Sequence, residues 1–551
     1  MSDDNKHILM ETGTFIHSAI QEDLKGRLNA LHTRFPPEPG GFLHIGNAKA
    51  VYINFELAKI YGGTYNLRMD DTNPAIEKAE FVQAIQDDIR WLGYDLDGRL
   101  FFASNYFDKL YECAVTLIKK GLAFVCDLTA EEMRASFGGI DKAGTDSPYR
   151  NRSIEENLDL FTRMKNGEFP DGAKTLRAKL DMASPNMNMR DPVMYRITRQ
   201  THSNTGDKWC IYPMYDFAHP LQDAIEGITH SLCSIEFEEH RPIYEWYISH
   251  LDFPIKPRQI EFAKMSISNT IMGKRHIRAL IAEGKYDGWD DPRLVTLSGM
   301  RRRGYLPASI REFLGNTGVS KALSRVDFGM LEYFVREHLA PVSKVVMAVL
   351  NPLKVIIENY PEGEVEMLTL PFHGDNEALG CREVPFSREI YIEREDFMET
   401  PGKKFFRLAP GKEVRLKGAY YVTCTGIVKD TAGNIVEVRC TYDPETKSGS
   451  GVELRKVKGT LHWVSAKHAV PIKAMLYDMA VLDAPDAPDG IIDNPDSLIV
   501  MPNALGEPCL ADATMDDRFQ FMRNGYFCLD NKHEGLVFNR TVSLKSSYKK
   551  S

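Results

Sequence analysis

Two short segments of the chain combine histidine, glycine and lysine in patterns that bind phosphate. The first, His44–Asn47, follows the irregular stretch Pro36–Gly41 and precedes apolar residues at helical spacing. A helix N-terminus after a strand offers free backbone amides and the positive end of the helix dipole, so phosphates bind there. His44 adds a hydrogen-bond donor, and Gly46 lets a nucleotide approach the backbone. The segment indicates a nucleotide site, although by itself a helix start with a surface histidine is the simpler interpretation.

The second segment, Ile271–Arg275, places Lys274 in a polar stretch that contains glycine. A lysine on a mobile loop can reach a triphosphate and stabilise the charge of the departing pyrophosphate. Taken singly, a Lys-Arg pair in a loop is usually just solvated. The nearby Lys264–Ser268 has a similar pattern but lacks a second lysine. The prediction of a phosphate-transfer site therefore depends on finding both segments in one chain.

The elements that must position the first segment have an α/β pattern. Strand character at His32–Phe35 is followed by a predicted helix, and a second predicted strand covers Thr64–Met69. In the next helix Asn73 is the predicted cap and Pro74 the first residue. Strands that alternate with helices of this length predict a parallel sheet. The face of the first helix is marked by Ala48, Val51, Tyr52, Phe55 and Ala58.

The sequence pattern of the rest of the chain changes twice. Residues 101–210 are rich in Asn, Pro and Met and indicate an inserted domain, and residues 264–338 are mostly helical with loops at Gly299 and Gly315–Asn316. Beyond Pro341, short alternating segments separated by turns predict an all-β barrel or sandwich. Since the β-rich part should have its own core, we expect a chain ending near His338 to fold.

Composition narrows the class of protein. The 551 residues carry a net charge of −9, which counts weakly against nucleic-acid binding. The run Arg301–Arg303 and the basic tail Lys549–Lys550 are most simply solvated surface. There is no long apolar run, the start Met1–Asp4 does not look like a secretory signal, and the nine cysteines form no CxxC pair. A cytoplasmic protein without a structural metal is expected.

Longer stretches of the sequence resemble the glutaminyl branch of the class I aminoacyl-tRNA synthetases. The resemblance is strong over about residues 25–335, and weaker in motif through the β-rich remainder. The segments that carry it are HTRFPPEPGGFLHIGNAKA, NLRMDDTNP, SPYRNRSIEENL, LRAKLDMASPNMNMRDPVMYRI, YPMYDFAHPLQDAIEGITHSLCSIEFEEHR and GWDDPRLVTLSGMRRRGY.

The resemblance implies a Rossmann-like α/β catalytic domain with an inserted acceptor-stem domain and a helical connector, followed by two all-β barrels that bind the anticodon. The implied boundaries are 26–100 and 211–263 for the catalytic halves, 101–210 for the insertion, 264–339 for the signature loop and connector, 340–400 with 480–551 for the proximal barrel, and 401–479 for the distal barrel.

The resemblance also assigns site residues. The implied catalytic residues are His44, Asn47 and Lys274. The implied ATP-binding residues are Glu38, Pro39, Gly40, His44, Ile45, Gly46, Asn47, Ala48, Lys49, Ala50, Ser234, Lys264, Met265, Met272, Gly273 and Lys274. The implied glutamine-binding residues are Arg34, Asp70, Tyr215 and Cys233. Glu239 is the implied contact to the tRNA acceptor stem.

Three positions depart from the usual pattern of the family. Asn47 stands where the first signature usually ends in His, and Gly273 stands where the second usually has Ser; Gly40 replaces the usual Asn. Asn47 still donates a hydrogen bond but carries no charge, and Gly273 removes a hydroxyl. These changes put the rate in question rather than the activity, and a non-catalytic tRNA-binding paralogue is one alternative.

The main alternative is a glutamyl-tRNA synthetase of the β-barrel type. Asp70 does not decide between them, because an acidic side chain there would hold the α-ammonium that both amino acids carry. Cys233 is informative, since glutamyl relatives typically have Arg at that position. A γ-carboxylate would lose water there and gain no cation, whereas Tyr215 can hydrogen-bond a neutral amide. The simplest interpretation of Cys233 alone is a small buried core residue.

The implied reaction is ATP-dependent activation of L-glutamine to glutaminyl-adenylate, followed by transfer to the 2′-hydroxyl of the terminal ribose of tRNA with release of AMP and pyrophosphate. ATP is expected to enter with Mg²⁺, and no protein-bound structural metal is expected. Positioning and charge stabilisation would carry the rate. The expected partners are tRNA, L-glutamine and ATP, with no membrane, and the chain is expected to be a monomer.

Overall fold

The structure is a computed structural model that describes residues 13–26, 28–75, 78–139, 141–450, 455–487, 490–545 and 548. Met1–Asp4 and Lys549–Lys550 lie outside these residues. The chain divides into two units, Met1–Ser266 with Leu314–Val326 and Ile267–Phe313 with Asp327–Ser551. Within the described ranges no helix is long and apolar enough to cross a membrane.

The first unit contains the predicted parallel sheet. Strands β1 (His32–Phe35), β2 (Thr64–Met69) and β3 (Leu100–Phe102) pair in parallel in the order β1-β2-β3. The helix Ile45–Ile60 joins the first two strands, as the spacing predicts. The next helix is Ala79–Trp91, so the prediction that Asn73 and Pro74 begin it is wrong. The amide oxygen of Asn73 instead accepts hydrogen bonds from the Ala75 amide and the Arg196 side chain.

A four-stranded antiparallel sheet follows in the first unit, in the order β4-β5-β6-β7. Its strands are β4 (Ala123–Cys126), β5 (Thr175–Ala178), β6 (Val193–Ile197) and β7 (Ile211–Pro213). A second parallel pair comprises β8 (His230–Ser234) and β9 (Arg258–Phe262). The other helices that lie wholly in this unit are Phe15–Gly26, Phe107–Lys119, Ala130–Ser136, Ile154–Lys165, Tyr215–Glu226 and Arg241–His250.

The predicted helical region is confirmed by Lys274–Ala282, Leu297–Arg302, Pro307–Asn316 and Phe328–Leu339, with short strands β10 (Met265–Ile267) and β11 (Ser324–Val326). The loop predicted at Gly299 is wrong, because Gly299 lies inside a helix. A Cβ atom there would come within 2.6 Å of the Asp291 carbonyl oxygen, so glycine permits close packing.

The prediction of a solvated arginine run is also wrong for two of its three members. Arg302 and Arg303 are both buried. Arg302 forms an ion pair with Asp530 at 2.8 Å, and Arg303 donates to the carbonyl oxygens of Tyr477 and Thr541 at 3.1 Å. Both side chains therefore attach the helices of the second unit to its β-rich part.

Two seven-stranded sheets dominate the second unit and confirm the all-β prediction. One has the order β12-β27-β28-β29-β23-β26-β13, which we call the C-terminal barrel sheet; the other has the order β21-β18-β19-β20-β14-β17-β22, which we call the middle barrel sheet. Short pairs β15-β16 and β24-β25 complete the unit. The strands are β12 (Lys344–Val346), β13 (Ala348–Val349), β14 (Pro352–Ile357), β15 (Val365–Pro371), β16 (Cys381–Ser387), β17 (Glu389–Glu393), β18 (Glu413–Leu416), β19 (Tyr421–Lys429), β20 (Ile435–Asp443), β21 (Thr460–Leu461), β22 (Val464–Ser465), β23 (Val470–Tyr477), β24 (Val481–Asp483), β25 (Ile491–Asp493), β26 (Leu498–Gly506), β27 (Phe519–Phe521), β28 (Gly525–Leu529) and β29 (Val537–Val542).

The strand pairing differs from the predicted division between the barrels. Strands β14 and β17, which were predicted to lie with residues 480–551, belong to the middle barrel sheet, where β14 pairs in parallel with β20. Strand β23, predicted in the distal barrel, pairs with β26 and β29 of the C-terminal barrel sheet. These pairings join strands that are far apart in sequence, and local alternation does not specify such partners.

Candidate active site

His44 caps the helix that follows the first strand. Its Nδ1 accepts hydrogen bonds from the backbone amides of Gly46 at 3.1 Å and Asn47 at 3.3 Å, and the side-chain oxygen of Asn47 accepts from the His44 amide at 3.1 Å. This is a reciprocal capping box. Since Nδ1 is the acceptor, a neutral ring carries its proton on Nε2, which makes Nε2 a donor. The Asn47 oxygen is used in the cap, so its amide nitrogen supplies the donor capacity at that position.

The loop before this helix lies at the end of the parallel sheet. The Asp70 amide, just after β2, donates to the Pro37 carbonyl at 2.9 Å, and the Gly40 amide donates to the Glu38 carbonyl at 2.8 Å. Glu38 is exposed, while Pro39 is buried. The carboxyl end of β2 is thereby tied to the loop that leads to His44. This is the edge of a parallel sheet where nucleotides and substrates bind.

The helix also shows which of the predicted ATP-binding positions face outward. Gly46, Asn47 and Ala50 are half-buried, whereas Ile45, Ala48 and Lys49 are buried in the packing of the helix against the sheet. Burial lowers the pKa of the Lys49 ammonium.

Asp70 is the predicted ligand of the substrate ammonium. Its carboxylate accepts a hydrogen bond from the Thr72 hydroxyl at 3.0 Å. Burial raises the pKa of Asp70 to about 6, against the opposing effects of that hydrogen bond and of Arg68. A carboxylate whose pKa is raised by burial is costly to ionise, and a bound ammonium would stabilise its charge.

Beneath Asp70 lies a buried charge cluster that we call the arginine cluster, made of Arg34, Arg68, Asp223 and Glu226. Arg34 Nε and Arg68 Nη2 lie 2.9 and 2.8 Å from the same Asp223 oxygen, and Arg68 Nη1 lies 3.3 Å from Glu226. Burial would raise the pKa of Asp223, but the attraction of Arg34 and Arg68 outweighs it and the pKa is lowered. Two cations and two anions leave the cluster with no net charge.

Arg34 is predicted to bind glutamine, and the structure shows how its donors are used. Besides Asp223, it donates to the Leu232 carbonyl at 3.0 Å and to the Ser231 hydroxyl at 2.6 Å, and its Nη2 lies 2.7 Å from His219 Nε2. Burial lowers the pKa of His219 to about 3, so the ring is neutral and its Nε2 accepts. Four of the five guanidinium donors are thus committed, which leaves one on Nη1.

Sequence reasoning missed Asp223, Glu226 and His219, although a signal was present. With Tyr215 they recur at intervals of three and four residues along the helix Tyr215–Glu226, so all four lie on one face. The rings of Tyr215 and His219 stack with centroids 4.9 Å apart and planes 15° apart. A polar face on a helix with many buried residues indicates a functional cluster rather than a solvated surface.

Cys233 is brought to this cluster by β8. Its Sγ lies 3.5 Å from Arg34 Nη2, 3.7 Å from Ser231 Oγ and 4.0 Å from His219 Nε2. Burial raises the pKa of the Cys233 thiol, so the sulfur is neutral. Cys233 is both a small buried residue and a neighbour of the arginine cluster.

The remaining predicted residues of the first unit lie at or after the carboxyl ends of β8 and β9. Ser234 donates to Glu236 at 3.4 Å, and the exposed Lys264 forms an ion pair with the same carboxylate. Met265 is buried. Glu239 is exposed, and its carbonyl oxygen accepts from the side chains of Asn186 and Asn188 at 2.7 and 3.3 Å. Ser234 and Glu239 therefore lie on one short acidic segment, and Lys264 contacts it through Glu236.

The second signature belongs to the other unit. Met272 and Gly273 lie in an irregular segment, and Gly273 caps the helix Lys274–Ala282. Lys274 is therefore the first residue of a helix, not a residue in the middle of a loop as predicted. A cation at this end of a helix is disfavoured by the dipole, so an anion bound there would relieve the repulsion.

The described residues contain no group of three or more His, Cys, Asp or Glu side chains arranged to hold a metal ion.

Comparison with known proteins identifies the family. Residues 30–341 match the family model described as "tRNA synthetases class I (E and Q), catalytic domain". Residues 345–443 and 460–530 match two models described as "tRNA synthetases class I (E and Q), anti-codon binding domain". The catalytic match alone covers more than half of the chain.

Relatives match over nearly the full length. A protein of Clostridioides difficile named "Glutamine--tRNA ligase" is 55% identical over 98% of this chain and 98% of its own length. A protein of Ectopseudomonas mendocina with the same name is 53% identical over 99% of this chain and 100% of its own length. A solved glutamate tRNA ligase of Elizabethkingia meningosepticum is 19% identical, with a TM-score of 0.42 over 56% of this chain and 69% of that one. The family models and the full-length relatives show that the chain belongs to the class I tRNA synthetases of the E and Q family.

Proposed function

We propose that this protein is a glutamine–tRNA ligase, which activates L-glutamine with ATP and transfers it to the terminal ribose of a tRNA. Relatives with this name align with the chain almost end to end. The observation that carries the choice of amino acid is the arginine cluster, which has no net charge and lies against the neutral Cys233.

The electrostatics favour a neutral side chain over a γ-carboxylate. The guanidinium of Arg34, the residue nearest to Cys233 in this cluster, is already neutralised by Asp223. A carboxylate entering here would be desolvated without a counter-ion, whereas an amide requires only hydrogen-bond partners. The Tyr215 hydroxyl and the remaining donor of Arg34 are such partners. A site built this way rejects glutamate because no cation in it would neutralise the γ-carboxylate.

The substrate ammonium would bind Asp70. This places the backbone of the amino acid at the end of β2, next to the loop that leads to His44. ATP enters with Mg²⁺ as the substrate, and Mg²⁺ binds through phosphate oxygens. The N-terminus of the capped helix supplies backbone amides and its dipole, and His44 and Asn47 supply donors from Nε2 and the amide nitrogen.

The reaction then has two balanced steps. An oxygen of the glutamine carboxylate attacks the α-phosphorus, the bond to the β-phosphate oxygen breaks, and pyrophosphate leaves. The 2′-hydroxyl of tRNA next attacks the carbonyl carbon of the adenylate, loses its proton, and AMP leaves. In this proposal Lys274 stabilises the charge of the departing pyrophosphate, and the other residues position the reactants.

The tRNA is proposed to bind both units. The acceptor end would meet the exposed Glu239, and the anticodon would bind the barrels, whose matching family models are described as anticodon-binding domains. The predicted monomer and the predicted domain boundaries outside the two barrels belong to this proposal. All nine cysteines are free, which suits the reducing cytoplasm that we propose as its compartment.

The test is tRNA-dependent pyrophosphate exchange, run separately with glutamine and with glutamate. We expect exchange with glutamine and little with glutamate. A preference for glutamate would transfer the assignment to a glutamyl-tRNA synthetase, and failure to charge any tRNA would leave a tRNA-binding paralogue as the better account.

A second measurement tests the role of Lys274. Lys274→Ala should lower turnover roughly 10²–10³-fold, the loss expected for one transition-state donor. The matched control is Lys285→Ala, which removes an exposed lysine just beyond the same helix and should leave turnover unchanged. Equal turnover for both variants would remove Lys274 from the mechanism.

A further inference from the structure

Two residues connect the barrel sheets of the second unit. Strand β13 ends at Val349 in the C-terminal barrel sheet and β14 begins at Pro352 in the middle barrel sheet, so only Leu350 and Asn351 separate them. Such a short connection could bend, because each residue contributes two soft dihedral angles. The structure instead fixes both residues through one side chain.

That side chain is Glu393, the last residue of β17. Its two carboxylate oxygens accept hydrogen bonds from the backbone amides of Leu350 at 2.9 Å and Asn351 at 3.0 Å. The Asn524 side chain, from the turn between β27 and β28 of the other sheet, donates to Glu393 at 3.0 Å and to the Ala348 carbonyl at 3.2 Å. Glu393 is buried at 7% exposure, so these bonds are shielded from water.

The neighbouring residue of the same turn makes a second connection. Arg523 donates through both terminal nitrogens to the carboxylate of Asp396, at 2.7 and 2.6 Å, and Asp396 is fully buried. Arg523 adopts φ = +70°, a conformation that costs free energy for a residue other than glycine. The two consecutive turn residues thus hold two acidic residues of the neighbouring barrel, three positions apart.

We propose that Glu393 and Asp396, held by Arg523 and Asn524, form a clasp that fixes the relative orientation of the two barrels and thereby positions the nucleotides of the anticodon. Glu393 and Arg523 are positioning residues in this inference, with no direct contact to the RNA. It rests on the proposed function in one respect, that the ligand of the barrels is an anticodon arm.

The Arg523→Gly variant distinguishes a positioning role of the clasp from a merely structural one. Glycine adopts φ = +70° without cost, so the turn should fold at least as well, and Arg407 still pairs with Asp396 at 2.9 Å. If the clasp positions the barrels, affinity should nevertheless fall. Should the freed barrels spend about a tenth of their time in the competent orientation, the apparent Kd would rise about tenfold.

The probe is a fluorescent RNA hairpin carrying the anticodon arm of a glutamine tRNA, together with a hairpin altered at one anticodon base. Anisotropy titrations give the Kd of each for wild type, Arg523→Gly and Glu393→Gln, below the lowest Tm of the series. We expect about a tenfold rise in Kd for the matched hairpin and a smaller ratio between the two hairpins. Amide exchange at Leu350 and Asn351 should accelerate in Glu393→Gln.

The matched control is Glu389→Gln on the same strand, whose exposed pair with Lys354 lies within one barrel. It should bind both hairpins like the wild type. Unchanged Kd and unchanged base discrimination in Arg523→Gly and Glu393→Gln would overturn the proposal, even if Tm falls, and so would a wild type that binds neither hairpin. A wild type that binds the matched hairpin but charges no tRNA would refute the proposed function and leave the clasp standing.

Discussion

Replacing Cys233 with Arg should shift the preference from glutamine towards glutamate. The new guanidinium would enter a buried site whose sulfur now lies 3.5 Å from Arg34 Nη2. Asp223 already neutralises Arg34, so the cluster offers no spare anion to the newcomer. With glutamine bound, the second cation stays unpaired beside the first. With glutamate bound, the γ-carboxylate can pair with the new guanidinium in bidentate geometry.

The distance between the new guanidinium and the γ-carboxylate sets the size of the expected shift in the ratio of kcat/KM values. Two unit charges about 4 Å apart interact by about 4 kcal/mol at an effective dielectric constant of about 20. The new guanidinium attracts the γ-carboxylate of glutamate by an energy of this order, whereas the neutral amide of glutamine gains no such attraction. Since about 1.4 kcal/mol corresponds to tenfold, a redistribution of 4 kcal/mol approaches 10³-fold, and relaxation of the long side chain reduces it. We expect the ratio of kcat/KM values to move towards glutamate by about tenfold at least.

The assay measures kcat/KM for both amino acids with the same tRNA, for wild type, Cys233→Arg and Cys233→Ala. The alanine variant removes the thiol without adding charge, so its ratio should stay close to that of the wild type. Because the added charge destabilises the empty site, the arginine variant should also melt at a lower temperature and recover part of that loss with glutamate. An unaltered ratio in Cys233→Arg would place this residue outside the discriminating shell and refute the reasoning.

Three further outcomes follow from other buried charges and from the arginine cluster. Burial raises the pKa of Asp70 to about 6, so the ionised form that binds the ammonium is lost below that pH, and kcat/KM for glutamine should fall about tenfold per pH unit there. A chain ended at His338 should be unstable to heat, contrary to the prediction from sequence, because Arg302 would lose its buried partner Asp530; its Tm against the full chain checks this. Asp223→Asn should lower stability by about 3–5 kcal/mol in urea unfolding, since two buried arginines lose their anion, while the exposed Asp87→Asn should change it little.

The sequence pattern predicted the structure correctly where residues that are close in sequence are also close in space. The strand His32–Phe35, the helix after it and the strand Thr64–Met69 follow from hydrophobic spacing and from the turn residues between them. The His44 position was identified as a helix start with donor groups, and the capping box is there. The stacking of Tyr215 on His219 depends on spacing along one helix and was equally accessible.

Three of the failed predictions share one cause, which is a partner distant in sequence. Arg302 appears solvated in a run of three arginines, but its partner Asp530 lies 228 residues away. Asn73 looks like a helix cap, but Arg196 from the next sheet uses its oxygen. The division of the barrels failed for the same reason, because β14 pairs with β20 although five other strands lie between them in sequence. A local signal cannot report a partner of this kind.

The arginine cluster explains why a single small residue can bear on substrate choice. Arg34 and Arg68 lie on adjacent parallel strands, and Asp223 and Glu226 lie on one face of the helix above them, so the backbone fixes all four charges before any substrate arrives. A rigid, neutral cluster contributes hydrogen bonds without a net field, and the next charge placed beside it then decides which ligand is stable. In this chain that position holds the neutral Cys233, which in the proposed function favours an amide. Specificity between two substrates that differ by one ionisable group therefore depends on keeping the sum of the buried charges at zero.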